Sequence, residues 1–189
     1  MHFKNSMSKK YKDNIYKEMT RQDILKYLEL LNDKLKFRGK KGEVSMVGGA
    51  VMCLCYESRA STLDIDAVFE PQYAIHQCAK EIAEEFGIPS NWINDGVSVY
   101  LSKQGKYMIY EVMSNLIIYV AIPEYMLAIK CFAARVGNQN EIEDIRVLLK
   151  HLQITTIEET YSVITQYYPL EDFKNRTQVI LLEIFADGS

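Results

Sequence analysis

The stretch that decides the fold is VGGAVMCLCYESRASTLDIDAVFE, Val47 to Glu70. Gly48 and Gly49 stand between a short apolar run and a segment that is apolar on nearly every side, which predicts a turn from a strand into a buried helix. The end of the stretch, TLDIDAVF, alternates apolar and polar residues and predicts a strand. Aspartate is depleted in strands, so the presence of Asp64 and Asp66 in this predicted strand needs an explanation.

The two aspartates lie two positions apart, and alternate residues of a strand point to the same side. The pattern predicts a polar face that carries both, opposite a buried face of Leu63, Ile65, Ala67 and Phe69. Neighbouring carboxylates repel each other unless a cation lies between them. Oxygen ligands suit Mg²⁺ or Mn²⁺, with substrate phosphates in other coordination positions. This face is a candidate metal site for phosphoryl or nucleotidyl transfer, and the alternative is an edge strand with two solvated acids.

The glycine turn supports the metal hypothesis. Gly48 and Gly49 would let the backbone approach a ligand closely, and amides at the start of a helix favour phosphate. In isolation the same pair could equally form a tight turn with no ligand. A glycine turn followed by an Asp-x-Asp strand predicts a phosphate cradle beside a metal site.

The order of elements along the chain predicts an α/β (α+β) fold. Hydrophobic periodicity and turn signals give the order α-β-α-β-α-β-β-α-α-α-α, which indicates a small mixed sheet packed by helices and then a helical C-terminal part. We expect a mobile polar tail over residues 1–18, a core over 19–122 and a helical subdomain over 123–189. Asn140, with Glu143 three residues later, is the predicted N-cap of one C-terminal helix.

Four further residues are candidates for the site or its surroundings. Lys130 falls on the apolar stripe of its helix, so it must extend to solvent or meet a buried anion, for which a triphosphate or the aspartate pair is the candidate. Asp144 lies on the flank of its helix, which is typical of a solvated acid. Arg59 and Thr62 precede the aspartates and could contact phosphate, although an ion pair and a turn explain them equally well.

Composition limits the possible functions. The chain has 189 residues and a net charge of −3, which argues against a broad nucleic-acid-coating role. It contains no apolar run of the roughly 18 residues that a membrane span requires, and its first residues lack the apolar core of a secretory signal. We therefore expect a cytoplasmic protein with no membrane partner.

Three segments in order resemble the nucleotidyltransferase superfamily, which has the polymerase-beta-like fold. GG…SRASTLDIDAVF is similar to its first motif, and the likeness is greatest to the AbiEii/MenT-type branch and related uncharacterised proteins. PEYMLAIKCFAAR is similar to the branch's helix with an LLAxKLxAxR pattern, and NEIEDIRVLL is similar to its RDxxDIxxLL segment. The resemblance covers roughly residues 44–185.

The resemblance implies a role for several residues. It implies phosphate contact for Gly48 and Gly49, Mg²⁺ or Mn²⁺ binding for Asp64 and Asp66, and catalysis or nucleotide contact for Lys130 and Asp144. A third metal acid occurs in many members of the superfamily, and Glu111 in MIYEVM is the candidate here. The usual Arg-Asp of the last motif is replaced by Asn140-Glu141.

The implied activity is transfer of a nucleoside monophosphate from an NTP to a hydroxyl acceptor on an RNA end, a protein or a small molecule. Resemblance alone implies a toxin–antitoxin or phage-defence role, with transfer RNA as a possible acceptor and an antitoxin as a partner. Two alternatives remain, namely a catalytically inactive nucleotide-binding regulatory module on the same fold and an antibiotic-modifying nucleotidyltransferase.

Overall fold

The computed structural model describes residues 18–173 and 175–186. The predicted tail over residues 1–18 therefore lies outside the described residues, except for Glu18. The helices are α1 (Arg21–Phe37), α2 (Gly48–Val51), α3 (Gln72–Phe86), α4 (Pro123–Ala133), α5 (Gln139–His151), α6 (Ile157–Ile164) and α7 (Asn175–Ala186). The strands are β1 (Met19–Thr20), β2 (Gly42–Val47), β3 (Ser61–Thr62), β4 (Ile65–Glu70), β5 (Ile93–Asn94), β6 (Tyr107–Val112) and β7 (Leu116–Ala121).

Five of the strands form one mixed sheet in the order β5-β4-β2-β7-β6, and β1 and β3 form a separate pair. β2 runs antiparallel to β4 and parallel to β7, while β6 runs antiparallel to β7 at the edge. This architecture confirms the predicted α/β class with a mixed sheet and helices. The order of the longer elements also agrees with the prediction, since the additional strands β1, β3 and β5 have only two residues each.

The core lies where the helices cover the sheet. The inward residues of the central strand β2, Val44 and Met46, are fully buried. α1 and α3 pack against each other, and they also contact β7 and β4, respectively. α4 packs against α2, α5 and α6, so it connects the sheet side of the molecule to the C-terminal helices.

The predicted aspartate strand is shorter than expected at its start. β4 begins at Ile65, so Asp64 precedes the strand, and Leu63 is 56% exposed instead of buried. The cause is a competing pairing, because Ser61 and Thr62 pair with Thr20 and Met19 in the two-stranded sheet. The predicted alternation therefore holds from Ile65 onward, where buried and partly exposed residues alternate along β4.

The predicted helix cap at Asn140 is wrong by two residues. α5 begins at Gln139, and its N-cap is Asn138, whose side chain accepts a hydrogen bond from the Glu141 amide. Both asparagines suit the cap chemically. The turn that leaves α4 decides between them, because it brings the chain into the helical conformation before Asn140.

Stacked aromatic rings join the C-terminal segment to α4. The rings of Tyr125 and Tyr167 are 4.9 Å apart, and those of Phe132 and Tyr168 are 4.7 Å apart. The Tyr168 hydroxyl also donates to the carbonyl of Tyr100, 3.0 Å away. Within the described part of the chain, no helix combines the length and the apolar character that crossing a membrane requires.

Candidate functional site

A cleft of about 620 Å³ opens where β2 ends, where β4 begins and where α4 and α5 meet. Its polar wall contains both aspartates of the Asp-x-Asp segment and both glycines of the turn. The other predicted residues that line it are Arg59, Thr62 and Lys130. The fold therefore brings together most of the residues that the sequence singles out.

The two aspartates reach the cleft from neighbouring backbone positions. Asp66 lies in β4 opposite Val47, the last residue of β2 and the one that precedes the glycine turn. Asp64 lies just before β4 and lines the same cleft. Burial raises the pKa of the Asp64 carboxyl, and burial followed by repulsion from Asp64 raises the pKa of Asp66. Each carboxylate is therefore held in a site that disfavours its charge.

Asn94 partly offsets this cost, and the sequence analysis did not identify it. β5 runs parallel to β4 with Asn94 opposite Asp66, and the Asn94 amide donates a hydrogen bond of 3.1 Å to Asp64 Oδ2. Hydrogen bonding from Asn94 lowers the pKa of both carboxyls, against the larger effect of burial. No sequence signal could identify this residue, because a two-residue strand shows no periodicity.

The glycine turn packs directly onto this polar wall. Gly48 has a positive φ of 70°, and a Cβ at this position would lie 2.9 Å from Asp66 Oδ2. A Cβ on Gly49 would lie 2.4 Å from the Thr62 hydroxyl oxygen. Both positions require glycine because the backbone approaches other groups closely. The neighbouring groups are Asp66 and Thr62, so contacts within the protein explain both glycines without a bound phosphate.

A buried ion-pair cluster lies beside this polar wall, close to Gly49. Asp144 is fully buried (0% exposed), and its Oδ2 lies 2.6 Å from Arg59 Nη2 and 2.7 Å from Lys130 Nζ. Its Oδ1 accepts hydrogen bonds from Arg59 Nε at 2.9 Å and from the Ser58 hydroxyl at 3.2 Å. Two cations thus share one carboxylate, and the three charges sum to +1 beside the cleft.

This cluster corrects the prediction for Asp144 and for the partner of Lys130. Asp144 is on the flank of α5, as predicted, but α4 and the segment that carries Ser58 and Arg59 cover that flank, so the acid is not solvated. The anion that meets Lys130 is Asp144, and neither a ligand nor the aspartate pair is needed to explain its burial. Of the two alternatives for Arg59, the structure contains the ion pair.

Thr62 and Glu111 differ in how they relate to the cleft. Thr62 is buried, and its hydroxyl donates to the Asp64 carbonyl over 3.3 Å, so it supports the loop before β4. Glu111 is exposed on β6, at the far edge of the sheet from β4, and it does not line the cleft. The structure does not bring this expected third acid to the other two.

The donor set of the aspartate pair fits a hard divalent cation. Within the described residues, no lysine, arginine or histidine forms an ion pair with Asp64 or Asp66, and no group of three or more His, Cys, Asp and Glu is placed to hold a metal. Mg²⁺ is commonly held by one or two carboxylates, with waters and substrate phosphates as its remaining ligands. Two unpaired carboxylates that raise each other's energy match this pattern.

Comparison of the chain with protein-family models, with curated proteins and with solved structures finds no match. The case for a function therefore depends on the geometry of the cleft and on its residues.

Proposed function

We propose that this chain is a metal-dependent nucleotidyltransferase that moves a nucleoside monophosphate from an NTP to a hydroxyl acceptor and releases pyrophosphate. The observation that carries the proposal is the pair of unpaired carboxylates, Asp64 and Asp66, packed against a glycine turn in one cleft. The resemblance of three motifs to nucleotidyltransferases of the AbiEii/MenT type supports the same conclusion.

Asp64 and Asp66 would hold Mg²⁺ or Mn²⁺, with Asn94 orienting Asp64 through its amide. The ion would neutralise phosphate charge and lower the pKa of an acceptor hydroxyl. Gly48 and Gly49 line the cleft and carry no side chains, so phosphate oxygens could approach their backbone from the cleft. In the reaction the acceptor oxygen bonds to the α-phosphorus, the bond from that phosphorus to the bridging oxygen breaks, and pyrophosphate leaves as the hydroxyl proton passes to water.

Lys130 and Arg59 would contribute electrostatic stabilisation of the transferring phosphoryl group. Their shared carboxylate leaves one net positive charge at the wall of the cleft. Preorganised charge of this kind stabilises the transition state without reorganisation during the step. Asp144 is assigned the role of positioning both cations, since its oxygens contact Lys130 and Arg59 and it does not line the cleft.

A transfer assay with each α-³²P-labelled NTP tests the proposal. Protein, Mg²⁺ and one labelled NTP are incubated with total RNA and cell extract, and label is followed into RNA, protein and small molecules. Label is expected to move to one acceptor class and to be lost in Asp66→Asn, while Glu70→Gln, an acid at the other end of β4, keeps the activity. Unchanged transfer by Asp66→Asn would overturn the assignment of the acid pair.

A second candidate function is a nucleotide-binding regulatory module without turnover. The burial and double pairing of Asp144 favour it, because they keep this acid out of the lining of the cleft. Isothermal titration of each NTP with Mg²⁺ separates the two functions. Metal-dependent binding to the wild type without transfer of label to any acceptor would favour the module, and absence of binding would contradict both functions.

A further inference from the structure

The outer edge of the five-stranded sheet carries an inference independent of the proposed function. β6 is six residues long, and no described strand pairs with its outer side. The opposite edge strand, β5, has only two residues. A long open edge presents unpaired backbone donors and acceptors to any strand that can align with it.

The side chains of β6 are also unusually apolar for an exposed edge. Met108, Ile109 and Val112 are 45%, 59% and 65% exposed. Proteins commonly protect such edges with several charged side chains or with proline. On β6 and next to it, the charged residues are one cation, Lys106, and one anion, Glu111.

A bulge determines which side chains share a face. Pairing with β7 matches Met108 to Val120, and it matches Glu111 to Ile118 after a register shift between Ile109 and Glu111. Val120 and Ile118 are two apart on β7 and therefore lie on the same face. The bulge thus moves Glu111 onto the face of Met108, and alternation from Met108 places Lys106 there as well.

We propose that β6 pairs antiparallel with β6 of a second copy of this chain, with the two Met108 residues facing each other at the two-fold axis. Tyr110 is the extra residue of the bulge and has no partner on β7. With Tyr110 passed over in the same way, Lys106 of each copy faces Glu111 of the other, one pair at each end of the contact. On the opposite face Tyr107 of each copy faces Ile109 of the other. Isologous contacts require this self-complementarity, in which every pair occurs twice.

The charge pattern favours a second copy over an unrelated strand. In the proposed register both charged positions find an opposite charge, and the apolar positions find apolar or aromatic partners. A register shifted by two residues would place a charge against methionine, and a shift of four would place like charges opposite each other. The same six-residue segment therefore specifies its own alignment.

Sedimentation velocity of the full chain over a range of protein concentrations tests the proposal. We expect a reversible dimer at twice the chain mass of 21.9 kDa. Ile109→Lys places a charge in the contact and is expected to raise the dissociation constant at least about tenfold. The matched control is Val179→Lys, another exposed apolar residue, on α7, which should leave the dimer unchanged.

A charge exchange tests the register itself. Lys106→Glu and Glu111→Lys each replace two attractive pairs by two repulsive ones, and each is expected to weaken the dimer about tenfold. Combining the two substitutions in one chain should restore the dimer. An equimolar mixture of the two single variants should also dimerise, because each mixed pair joins opposite charges.

Three outcomes would overturn the proposal. The wild type could remain monomeric up to its solubility limit. Ile109→Lys could leave a dimer intact, which would place the interface elsewhere. The double charge exchange could fail to restore a dimer that both single variants lose. Circular dichroism melting of each variant separates a lost contact from a lost fold, since all substituted side chains are exposed.

Discussion

Asp144 and the pair of Asp64 and Asp66 are compensated to different degrees. Asp144 is fully buried, yet it meets two cations and a hydroxyl, so its charge is compensated within the protein. Asp64 and Asp66 are less buried, and they repel each other. The Asn94 amide lowers the pKa of both carboxyls and the charge of Lys130 lowers that of Asp66, but the effect of burial is larger. The first arrangement is complete in itself. The second would gain from a further cation, which is why we assign a structural role to Asp144 and propose ligand binding for the aspartate pair.

The largest expected effect on stability comes from breaking the ion-pair cluster around Asp144. Asp144→Asn removes the anion and leaves Lys130 and Arg59 buried beside each other. Loss of one partner of a buried pair typically costs about 3–5 kcal/mol, so we expect a loss of that size in the free energy of unfolding. Urea denaturation measures it, with Glu143→Gln on the exposed side of α5 as the control. A loss no larger than the control would show that the cluster contributes nothing to stability.

The next effect concerns the contact between the glycine turn and the loop before β4. In Gly49→Ala the added Cβ would lie 2.4 Å from the Thr62 hydroxyl oxygen. We expect a loss of about 1–3 kcal/mol in the free energy of unfolding, the usual cost of overpacking. The double variant with Thr62→Ala should lose less than the sum of the two single variants, since the clashing oxygen is absent. Strict additivity would contradict the steric explanation.

Both expectations depend on features that one helix or one strand cannot show by itself. Periodicity located α4 and α5, placed Lys130 on an apolar stripe and placed Asp144 on a flank, and all of this agrees with the structure. It could not show that the segment with Ser58 and Arg59 covers that flank, because a helical wheel contains no information about neighbouring elements. The pairing of Lys130 with Asp144 is a tertiary contact of the same kind.

The strands also show that the sequence pattern of one element does not reveal its tertiary neighbours. The order of the longer elements was predictable from alternation and turn residues, and so was the Asp-x-Asp segment of the cleft. The order of strands in the sheet was not, and this order separates Glu111 from the two aspartates. Asn94 and the interruption before β4 depend on two-residue pairings, which are too short to leave a pattern in the sequence.

A smaller effect tests the pair of Asp64 and Asp66 through Asn94, which contacts Asp64. Asn94→Ala removes the amide that orients Asp64, and residues that orient metal ligands typically change affinity 10–100-fold. We expect Mn²⁺ binding, followed by electron paramagnetic resonance, to weaken about tenfold. Asn91→Ala, at an exposed asparagine three residues earlier, is the control. Equal affinities in the two variants would remove Asn94 from the site.

The smallest expected effect has the opposite sign. Asp66→Asn removes one of two repelling charges and should stabilise the metal-free protein at neutral pH by about 0.2–1 kcal/mol. A folded-state pKa above the unfolded value means that the folded protein binds more protons. Stability of the wild type therefore falls as pH rises from the unfolded pKa of aspartate through the raised folded values of Asp64 and Asp66.

Thermal melts at several pH values, with and without Mg²⁺, measure this effect. The decline of stability with pH should be shallower in Asp66→Asn than in the wild type. Added Mg²⁺ should raise the melting temperature of the wild type and have less effect on the variant. A variant less stable than the metal-free wild type at neutral pH would contradict the expected repulsion between Asp64 and Asp66.

Trp92 gives this molecule a built-in optical reporter. It is the only tryptophan in the sequence, its ring is buried beside Tyr27, and its indole nitrogen donates to the Ala79 carbonyl at 3.0 Å. Its fluorescence therefore comes from a single environment, two residues before Asn94 in the chain. Emission at short wavelength should mark the intact edge at β5, and a red shift on adding denaturant would report when the strand beside the aspartates separates from the core.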